Sequence, residues 1–206
     1  MLNALSSASP VREIIISDGG SVDQTTALAV AAGARVVTAS RGRGTQLAAG
    51  AAAASGAWLL FLHADCRPEQ GWPEAIAAFV NAPQAERCAG YFDFKLGDRA
   101  PAARRLERIV AWRCRVLALP YGDQGLLISR ALYDAVGGFA PLPLMEDVDL
   151  VRRLGRRRLA RIGACSIASA RRYRQDGYWR RPLRNLFCLS LYFAGMTPER
   201  IARFYG

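Results

Sequence analysis

The sequence predicts an α/β fold in which a mostly parallel central sheet is flanked by helices. Short runs rich in Ile, Val, Leu and Phe alternate with alanine-rich stretches of helical length, the order that strands and crossover helices produce. The first three apolar runs are each followed by a turn that contains glycine or aspartate. Because 51% of the 206 residues are hydrophobic, one core can form, and residues 1–206 are predicted to be a single domain.

The predicted elements follow from the apolar runs and from the residues that cap helices. Ser21 and Gln24 have the spacing of a capping box, and Thr197 with Pro198 has the pattern of a helix start. The predicted strands are 13–18, 35–39, 58–62, 88–96, 125–129 and 159–168. The predicted helices are 21–32, 45–55, 72–80, 103–117, 131–136, one that begins at 146, and two C-terminal helices within about 178–205.

Acidic side chains follow two of the first three predicted strands. Asp18 ends the first strand, and Asp65 comes three residues after the third. Ligands of open α/β sheets bind beyond the C-terminal ends of strands, so both acids are expected to face one crevice. The turn from Asp18 to Ser21 lacks the glycine spacing of a dinucleotide-binding loop. A carboxylate there suits a ribose hydroxyl, a base edge or a metal.

Asp65 has two interpretations. It can be a ligand of a hard divalent ion such as Mg²⁺ or Mn²⁺, which combines one or two carboxylates with substrate phosphate oxygens and water. It can also be a helix N-cap before Pro68. Two other acidic groups have similar alternatives. Asp123 with Gln124 can bind sugar or acceptor hydroxyls, or form an ordinary turn. The acids at 146 and 147 can be catalytic, or can merely stabilise the start of a helix.

The positive charge of the chain lies in one segment. Lys and Arg number 28 against 17 Asp and Glu, a net charge of +11, and residues 152–184 contain twelve arginines and one acid. The balanced remainder excludes a general polycationic coat. Diphosphate is one expected counter-charge, bound by Arg43 and closed over by Arg172. Nucleic acid is not a predicted partner, because no recognised binding motif accompanies the arginines.

Cysteine and hydropathy patterns favour a cytoplasmic protein. The five cysteines are widely spaced and include no C-x-x-C pair, which argues against a disulfide framework and a structural zinc site. The apolar run 186–196 is shorter than the roughly 18 to 20 residues that cross a bilayer. Beside the arginine segment it can rest on anionic lipid at the inner face of the cell membrane, which would suit a lipid-linked acceptor. The alternative is that it packs on the sheet.

Five short motifs occur in a fixed order along the chain: Asp18-Gly19-Gly20-Ser21, Arg41-Gly42-Arg43, Phe61-Leu62-His63-Ala64-Asp65, Gly122-Asp123-Gln124 and Met145-Glu146-Asp147-Val148-Asp149-Leu150. Taken in this order, they resemble glycosyltransferase family 2, and within it the small bacterial group described as transferase-2, radical-SAM/selenodomain-associated. The resemblance covers about residues 2–205. It implies a GT-A nucleotide-diphospho-sugar transferase fold and inverting, hexosyl-type transfer from a nucleotide-diphospho-sugar to an acceptor hydroxyl, with a divalent metal.

The resemblance also implies roles for individual residues. Asp18, next to Gly19, corresponds to the acid that contacts the nucleoside. Asp65 corresponds to the last acid of the metal-binding D-x-D motif, and His63 stands where that motif has its first acid. Asp147 corresponds to the acid that acts as general base. Its neighbour, the glutamate at 146, is expected to bind the acceptor or the sugar.

The family pattern opens with a strand and turn of the kind V-x-V-I-I-P-x-x-N-E, which this sequence lacks. Residues 1–5 look like the end of the helix that follows that turn. We therefore expect a fragment or a start codon placed too far downstream. Loss of that strand would expose strand edges and weaken nucleotide binding. The alternative function is a catalytically weak GT-A-like module that binds a nucleotide or a membrane.

Overall fold

The computed structural model describes Leu5 and residues 11–205, within which seven strands and nine helices occur. The strands are β1 Ile15–Asp18, β2 Arg35–Thr38, β3 Trp58–Phe61, β4 Cys66–Pro68, β5 Ala89–Leu96, β6 Leu126–Ser129 and β7 Leu159–Ala168. The helices are α1 Thr25–Ala31, α2 Arg43–Ala53, α3 Trp72–Val80, α4 Pro101–Leu117, α5 Arg130–Ala135, α6 Glu146–Leu154, α7 Arg171–Asp176, α8 Arg180–Phe193 and α9 Pro198–Tyr205. Short 3₁₀ turns lie at Ala85–Arg87, Gly122–Gln124 and Arg156–Arg158.

The larger of two sheets is mixed, which corrects the expectation of a mostly parallel one. Its strand order is β3-β6-β5-β7-β4, and only β5 and β7 pair in parallel. The alternation of strand and helix is broken between β3 and β4, which are four residues apart with no helix between them. β5 and β6 pair antiparallel although α4 lies between them in the sequence, so an intervening helix does not make these neighbours parallel. β1 and β2 form a separate parallel pair.

Most predicted elements are present, with ends that differ by a few residues. α3 and β7 have the predicted bounds, whereas no sequence pattern predicted β4 or α7. The predicted capping box is wrong, because the Ser21 hydroxyl donates to Asp18 instead and α1 has no side-chain cap. Arg43 is the first residue of α2 rather than part of a loop.

Helices cover both faces of the larger sheet around β6. Leu127 packs with Trp72 of α3, whereas Leu126 and Ile128 pack in a cluster with Leu150 of α6. Successive strand residues point to opposite faces, so burial on both sides explains why β6 is apolar at consecutive positions. The C-terminal helices α8 and α9 pack against α6 in a third cluster, made of Leu119, Leu144, Met145, Val148, Val151, Cys188, Leu189 and Ile201.

Candidate active site

A cavity of about 1070 Å³ lies between β1 and the larger sheet. Its apolar wall comes from β1, β3 and α2, and its polar wall from the turn after β3, the 3₁₀ turn before β6, the start of α6, and helices α8 and α9. A volume of this size suits a substrate larger than a single sugar. The polar side chains of the wall include Arg43, His63, Asp65, Asp123, Asp147, Arg181, Asn185 and Tyr205.

β1 and β3 face each other across the apolar part of the cavity. Within residues 11–205, β1 pairs only with β2, and β3 pairs only with β6. Side chains of Ile14, Ile16, Leu59 and Leu60 belong to the wall between them. The apolar part is therefore a space between two strand edges. The expected absence of an opening strand stays a prediction.

Asp18 is held by the turn that follows β1. Its Oδ2 accepts the N–H groups of Gly20 and Ser21 at 2.9 Å each, and its Oδ1 accepts the Ser21 hydroxyl at 2.5 Å. These bonds, with that hydroxyl as the largest cause, lower the pKa of Asp18. The side chain is buried and does not line the cavity. Gly19 packs against Gln46, whose Nε2 would lie 3.0 Å from a Cβ at position 19.

Asp147 lies in the first turn of α6 with both carboxylate oxygens held by backbone. Oδ1 accepts the N–H of Val148 at 2.7 Å, and Oδ2 accepts the N–H of Gly122 at 2.8 Å. The imidazole of His63 packs on the other side of Gly122, where a Cβ would lie 2.3 Å from Nε2. The carboxylate is half-buried and lines the cavity. The orientation of the Asp147 carboxylate therefore depends on the backbone at Gly122, where a larger side chain would collide with His63.

Two further acids share this wall, Asp65 and Asp123. Asp65 is exposed, whereas Oδ1 of Asp123 is shut off from solvent and has no hydrogen-bond partner in the described part of the chain. Burial is the main cause that raises the pKa of Asp123; Asp147 and Asp65 raise it further, while Arg113 and His63 oppose them. The structure thus brings Asp65, Asp123 and Asp147 together, and leaves Asp18 outside the wall.

These acids fit a metal that arrives with its substrate. No group of three or more His, Cys, Asp or Glu side chains that could hold a metal ion occurs within Leu5 and 11–205. Asp65 and Asp123 supply two carboxylates to the wall, one of them with an unpartnered oxygen. Mg²⁺ and Mn²⁺ are commonly held by one or two carboxylates, with phosphate oxygens and water as the other ligands. The donor set suits a metal–diphosphate complex.

Arg43 reaches the polar wall because α2 packs closely on the segment before α6. The N–H of Gly44 donates to the carbonyl of Leu142 at 3.0 Å, and a Cβ at position 44 would lie 2.0 Å from the carbonyl oxygen of Ala140. The Arg43 guanidinium lies over the ring of Tyr205, 5.6 Å from its centroid. Glycine at 44 therefore places the arginine beside the start of α6.

Glu146 lies behind the wall rather than in it. The residue is 0% exposed, and neither carboxylate oxygen has a hydrogen-bond partner among the described residues. Burial raises the pKa of Glu146 to about 7, with a further increase from Asp147 and an opposing effect of Arg43. The prediction that Glu146 binds sugar or acceptor is therefore corrected, because its side chain does not reach the cavity.

Gln124 is committed to the core, which corrects its prediction as a sugar- or acceptor-binding residue. Its Nε2 donates to the carbonyl of Phe92 at 2.9 Å. Its Oε1 accepts from Arg113 at 3.0 Å, from the Cys114 thiol at 3.1 Å and from the N–H of Tyr121 at 3.3 Å. Every polar atom of the side chain is thus used inside the protein.

Sequence patterns did not predict several polar side chains that line the cavity, among them Arg181, Asn185 and Tyr205. Arg181 and Asn185 are four positions apart on α8, a spacing that places both on one helix face. That spacing was visible in the sequence, but the packing of α8 beside α6 was not. The side chain of Arg172 lies outside the described part of the structure, so its role stays a prediction.

Comparisons with known proteins agree with this arrangement. The family model described as Glycosyl transferase family 2 matches residues 1–142. Among solved structures, glucosyl-3-phosphoglycerate synthase from Mycobacterium tuberculosis with Mn²⁺, uridine-diphosphate and glucosyl-3-phosphoglycerate is 26% identical, with a TM-score of 0.54 over 82% of this chain and 63% of that chain. The structure of the same synthase with phosphoglyceric acid is also 26% identical, with a TM-score of 0.55 over 82% of this chain and 63% of that chain. A search of the curated proteins gives no match.

The structural likeness confirms the GT-A nucleotide-sugar transferase fold. A crystal structure described only as that of a mycobacterial protein is 24% identical, with a TM-score of 0.52 over 82% of this chain and 59% of that chain. The chain thus spans about 60% of the length of these solved structures. The narrower radical-SAM-associated subgroup stays a prediction. Since the family model covers well over half of the sequence, from its first residue to the loop before α6, the chain belongs to glycosyl transferase family 2.

Proposed function

We propose that this protein transfers a hexosyl group from a nucleotide-diphospho-sugar to an acceptor hydroxyl with inversion, and that Asp147 is the general base. The observation that carries the proposal is the carboxylate of Asp147, which lines the cavity and is oriented by the N–H groups of Gly122 and Val148. A general base works best when its orientation is set before the proton moves. Membership of the family supports the reaction class.

The donor is assigned to the side of the cavity formed by β1 and α2. Arg43 lines this side and can bind diphosphate oxygens through its planar guanidinium. The lowered pKa of Asp18 keeps its carboxylate ionised, as an acceptor of ribose hydroxyl bonds requires. Contact between Asp18 and a nucleoside requires the turn at Gly19 and Gly20 to shift, because the carboxylate is buried there. Similar solved structures hold UDP or UDP-glucose, which supports a uridine donor.

The reaction is a single displacement at the anomeric carbon. The acceptor oxygen attacks from the face opposite the diphosphate, while the bond from the anomeric carbon to the diphosphate oxygen breaks. Asp147 takes the proton of the acceptor hydroxyl, and the nucleoside diphosphate leaves with the bonding electron pair. Asp65 and Asp123 would hold a divalent metal, which when bound offsets the negative charge of the diphosphate.

Calorimetric titration tests the donor part of this proposal. UDP and GDP are titrated into the protein with and without Mn²⁺, and release of the nucleotide from the matching sugar nucleotide is measured in parallel. One of the two nucleotides is expected to bind only with the metal. A sample that is folded by circular dichroism and binds neither nucleotide with Mn²⁺ would contradict the proposed function. It would favour the alternative of a module without transferase activity.

A peripheral membrane position is a second part of the proposal, favoured by one face of α8. Five large apolar side chains on this face are 52–60% exposed: Trp179 just before the helix, and Leu183, Leu186, Phe187 and Phe193 in it. They are separated by three, four, six or seven positions in the sequence, which places them along one side of the helix. We call this set the apolar face of α8.

Arginines border the apolar face of α8. Arg180 is exposed beside Trp179, and the Arg152 guanidinium lies 5.1 Å from the ring centroid of Phe193. Tryptophan next to arginine is typical of surfaces that rest on anionic lipid headgroups. No helix in the described part of the chain is long and apolar enough to span a bilayer. The proposed partner of this face is therefore the anionic surface of a membrane, on its cytoplasmic side.

A further inference from the structure

The α8 side of the polar wall contributes a cation, Arg181, to the lining of the cavity. Arg181 and Asn185 project from one face of α8 into the wall. In the part of the chain that the structure describes, Arg181 forms no ion pair with an acid. Its guanidinium instead lies over the ring of Tyr173, 5.2 Å from the centroid. A partly desolvated guanidinium without a carboxylate is suited to an anion supplied by a ligand.

Arg43, which also lines the cavity, is in a different electrostatic setting. Arg43 lies within electrostatic range of Glu146, Tyr205 and Asp147. Its charge is thus partly balanced by the protein. Arg181 forms no ion pair among the described residues, so the α8 side of the cavity offers a guanidinium to an anionic ligand group.

Asn185 adds an unused hydrogen-bond acceptor next to this cation. Its Oδ1 is shut off from solvent and has no hydrogen-bond partner among Leu5 and residues 11–205. A buried amide oxygen without a partner is destabilising, and a ligand hydroxyl can remove that cost by donating a hydrogen bond to it. One helical turn therefore presents a cation for an anionic group and an acceptor for a hydroxyl group.

The position of Arg181 relates it to the acceptor side of the reaction. The ring of Tyr173 beside Arg181 is buried and also lines the cavity. Burial raises the pKa of Tyr173 to about 12, the charge of Asp123 raises it, and the charge of Arg181 opposes this. Both side chains are thus within electrostatic reach of one phenol. The groups assigned to the donor lie on β1 and α2. Because α8 contributes none of them, we assign α8 to the acceptor.

We propose that Arg181 and Asn185 form the acceptor subsite, and that the acceptor is a phosphorylated polyol. Arg181 binds its phosphate, and Asn185 accepts a hydrogen bond from one of its hydroxyl groups. The inference rests on the proposed function, since it assumes that the cavity performs sugar transfer. The phosphate can belong to a small soluble molecule or to a lipid headgroup, and both present the same chemistry to the guanidinium.

The test compares glycerol 3-phosphate with glycerol by calorimetry, in protein saturated with UDP and Mn²⁺. The wild type is expected to bind glycerol 3-phosphate at least about tenfold more tightly than glycerol, because a charge-assisted bond is lost with the phosphate. Arg181→Ala should abolish this preference without changing the affinity for UDP, and Arg181→Lys should keep part of it. Arg157→Ala is the matched control, an exposed arginine of the same basic segment that does not line the cavity.

Two results would overturn the subsite. One is a preference for glycerol 3-phosphate that survives Arg181→Ala; the other is loss of UDP affinity in that variant, which would assign Arg181 to the donor diphosphate. Thermal unfolding of each variant shows that it is folded. Dihexanoyl phosphatidylglycerol, kept monomeric, has a phosphate and free hydroxyl groups in its headgroup and separates the two sources. Tighter binding than glycerol 3-phosphate indicates a lipid headgroup, and equal or weaker binding indicates a soluble acceptor.

Failure of the subsite and failure of the proposed function give different results. If UDP binds with Mn²⁺ and the phosphate preference does not depend on Arg181, the proposed function stands and the subsite is wrong. If UDP does not bind, the proposed function fails, and with it the acceptor role. The same titration without nucleotide then shows whether Arg181 still binds phosphate.

Discussion

The N–H of Gly122 donates to Oδ2 of Asp147 across 2.8 Å, and the residues are 25 positions apart in the sequence. The imidazole of His63 covers the other side of Gly122, so a Cβ there would lie 2.3 Å from Nε2. We therefore expect Gly122→Ala to push the ring away and to disturb the orientation of Asp147. In urea denaturation, the free energy of unfolding should fall by about 1–3 kcal/mol, as for other overpacked sites. The rate at which nucleotide is released from the sugar nucleotide should fall as well.

Two further variants isolate the steric cause. Gly50→Ala is the control, since a Cβ there would lie 3.7 Å from the Cβ of Ser17, an ordinary contact, and Gly50 lies inside α2. It should be neutral or stabilising by up to about 1 kcal/mol. Adding His63→Ala to Gly122→Ala should restore much of the lost stability, because the clash is removed. A double variant as unstable as Gly122→Ala alone would show that the ring is not the cause.

Asp147→Asn tests the general base. Asparagine keeps the size of the side chain and an oxygen that can accept the N–H of Gly122, but it cannot take a proton at neutral pH. Transfer should fall by about 10²–10⁴-fold, while calorimetry finds UDP affinity unchanged. Asp134→Asn, at an exposed position of α5, should keep full activity. Transfer that survives in Asp147→Asn with normal nucleotide binding would assign the base to another group.

The strongest local patterns predicted elements well, but not how those elements pair. The bounds of α3 and β7 follow from apolar runs bordered by glycine and proline or by charged residues. Strand direction is different, because it depends on which distant strand becomes the neighbour. β5 pairs in parallel with β7 and antiparallel with β6, and nothing within β5 itself specifies this. The sheet was therefore the part of the fold that sequence patterns described wrongly.

The site shows the same division between chemistry and burial. Asp65 and Asp147 were identified from residue type and position, and both line the cavity. Glu146 belongs to the same motif as Asp147, and Gln124 to the same motif as Asp123, yet the side chains of Glu146 and Gln124 turn into the interior. The direction of a side chain at a turn or helix start is decided by tertiary packing, which a motif does not contain. Arg181 was missed for this reason, since it becomes a wall residue only when α8 packs on α6.

Glu146→Gln should change how stability depends on pH. In the folded protein the pKa of Glu146 is about 7, against an ordinary value of 4.5. The folded state therefore holds the proton more tightly than the unfolded state, so stability is highest below about pH 4.5 for this group and falls as pH rises to 7. The resulting decrease in the free energy of unfolding is at most about 3 kcal/mol. Arg43 and Asp147 also act on the carboxyl, so the measured decrease should be smaller.

The measurement is urea denaturation at about pH 5 and about pH 8. Glutamine is neutral at both values, so Glu146→Gln should lose much of the decrease in stability that the wild type shows between them. Glu74→Gln is the control, at an exposed position of α3, and should follow the wild type. An identical pH dependence in Glu146→Gln and the wild type would mean that the carboxyl does not hold its proton in the folded protein.

The apolar face of α8 predicts binding to anionic vesicles. The triple variant Leu183→Ser, Leu186→Ser and Phe187→Ser removes three exposed side chains, each worth up to about 1.5–3 kcal/mol when fully buried. We expect the wild type to sediment with phosphatidylglycerol vesicles but not with phosphatidylcholine vesicles, and the triple variant to lose at least about 100-fold in affinity. Val22→Ser with Leu28→Ser and Val30→Ser is the matched control, since these exposed apolar residues of the α1 region lie outside the arginine segment. A wild type that forms a dimer in solution, loses it in the α8 variant and ignores vesicles would assign the face to a second copy of the chain, and the membrane proposal would be wrong.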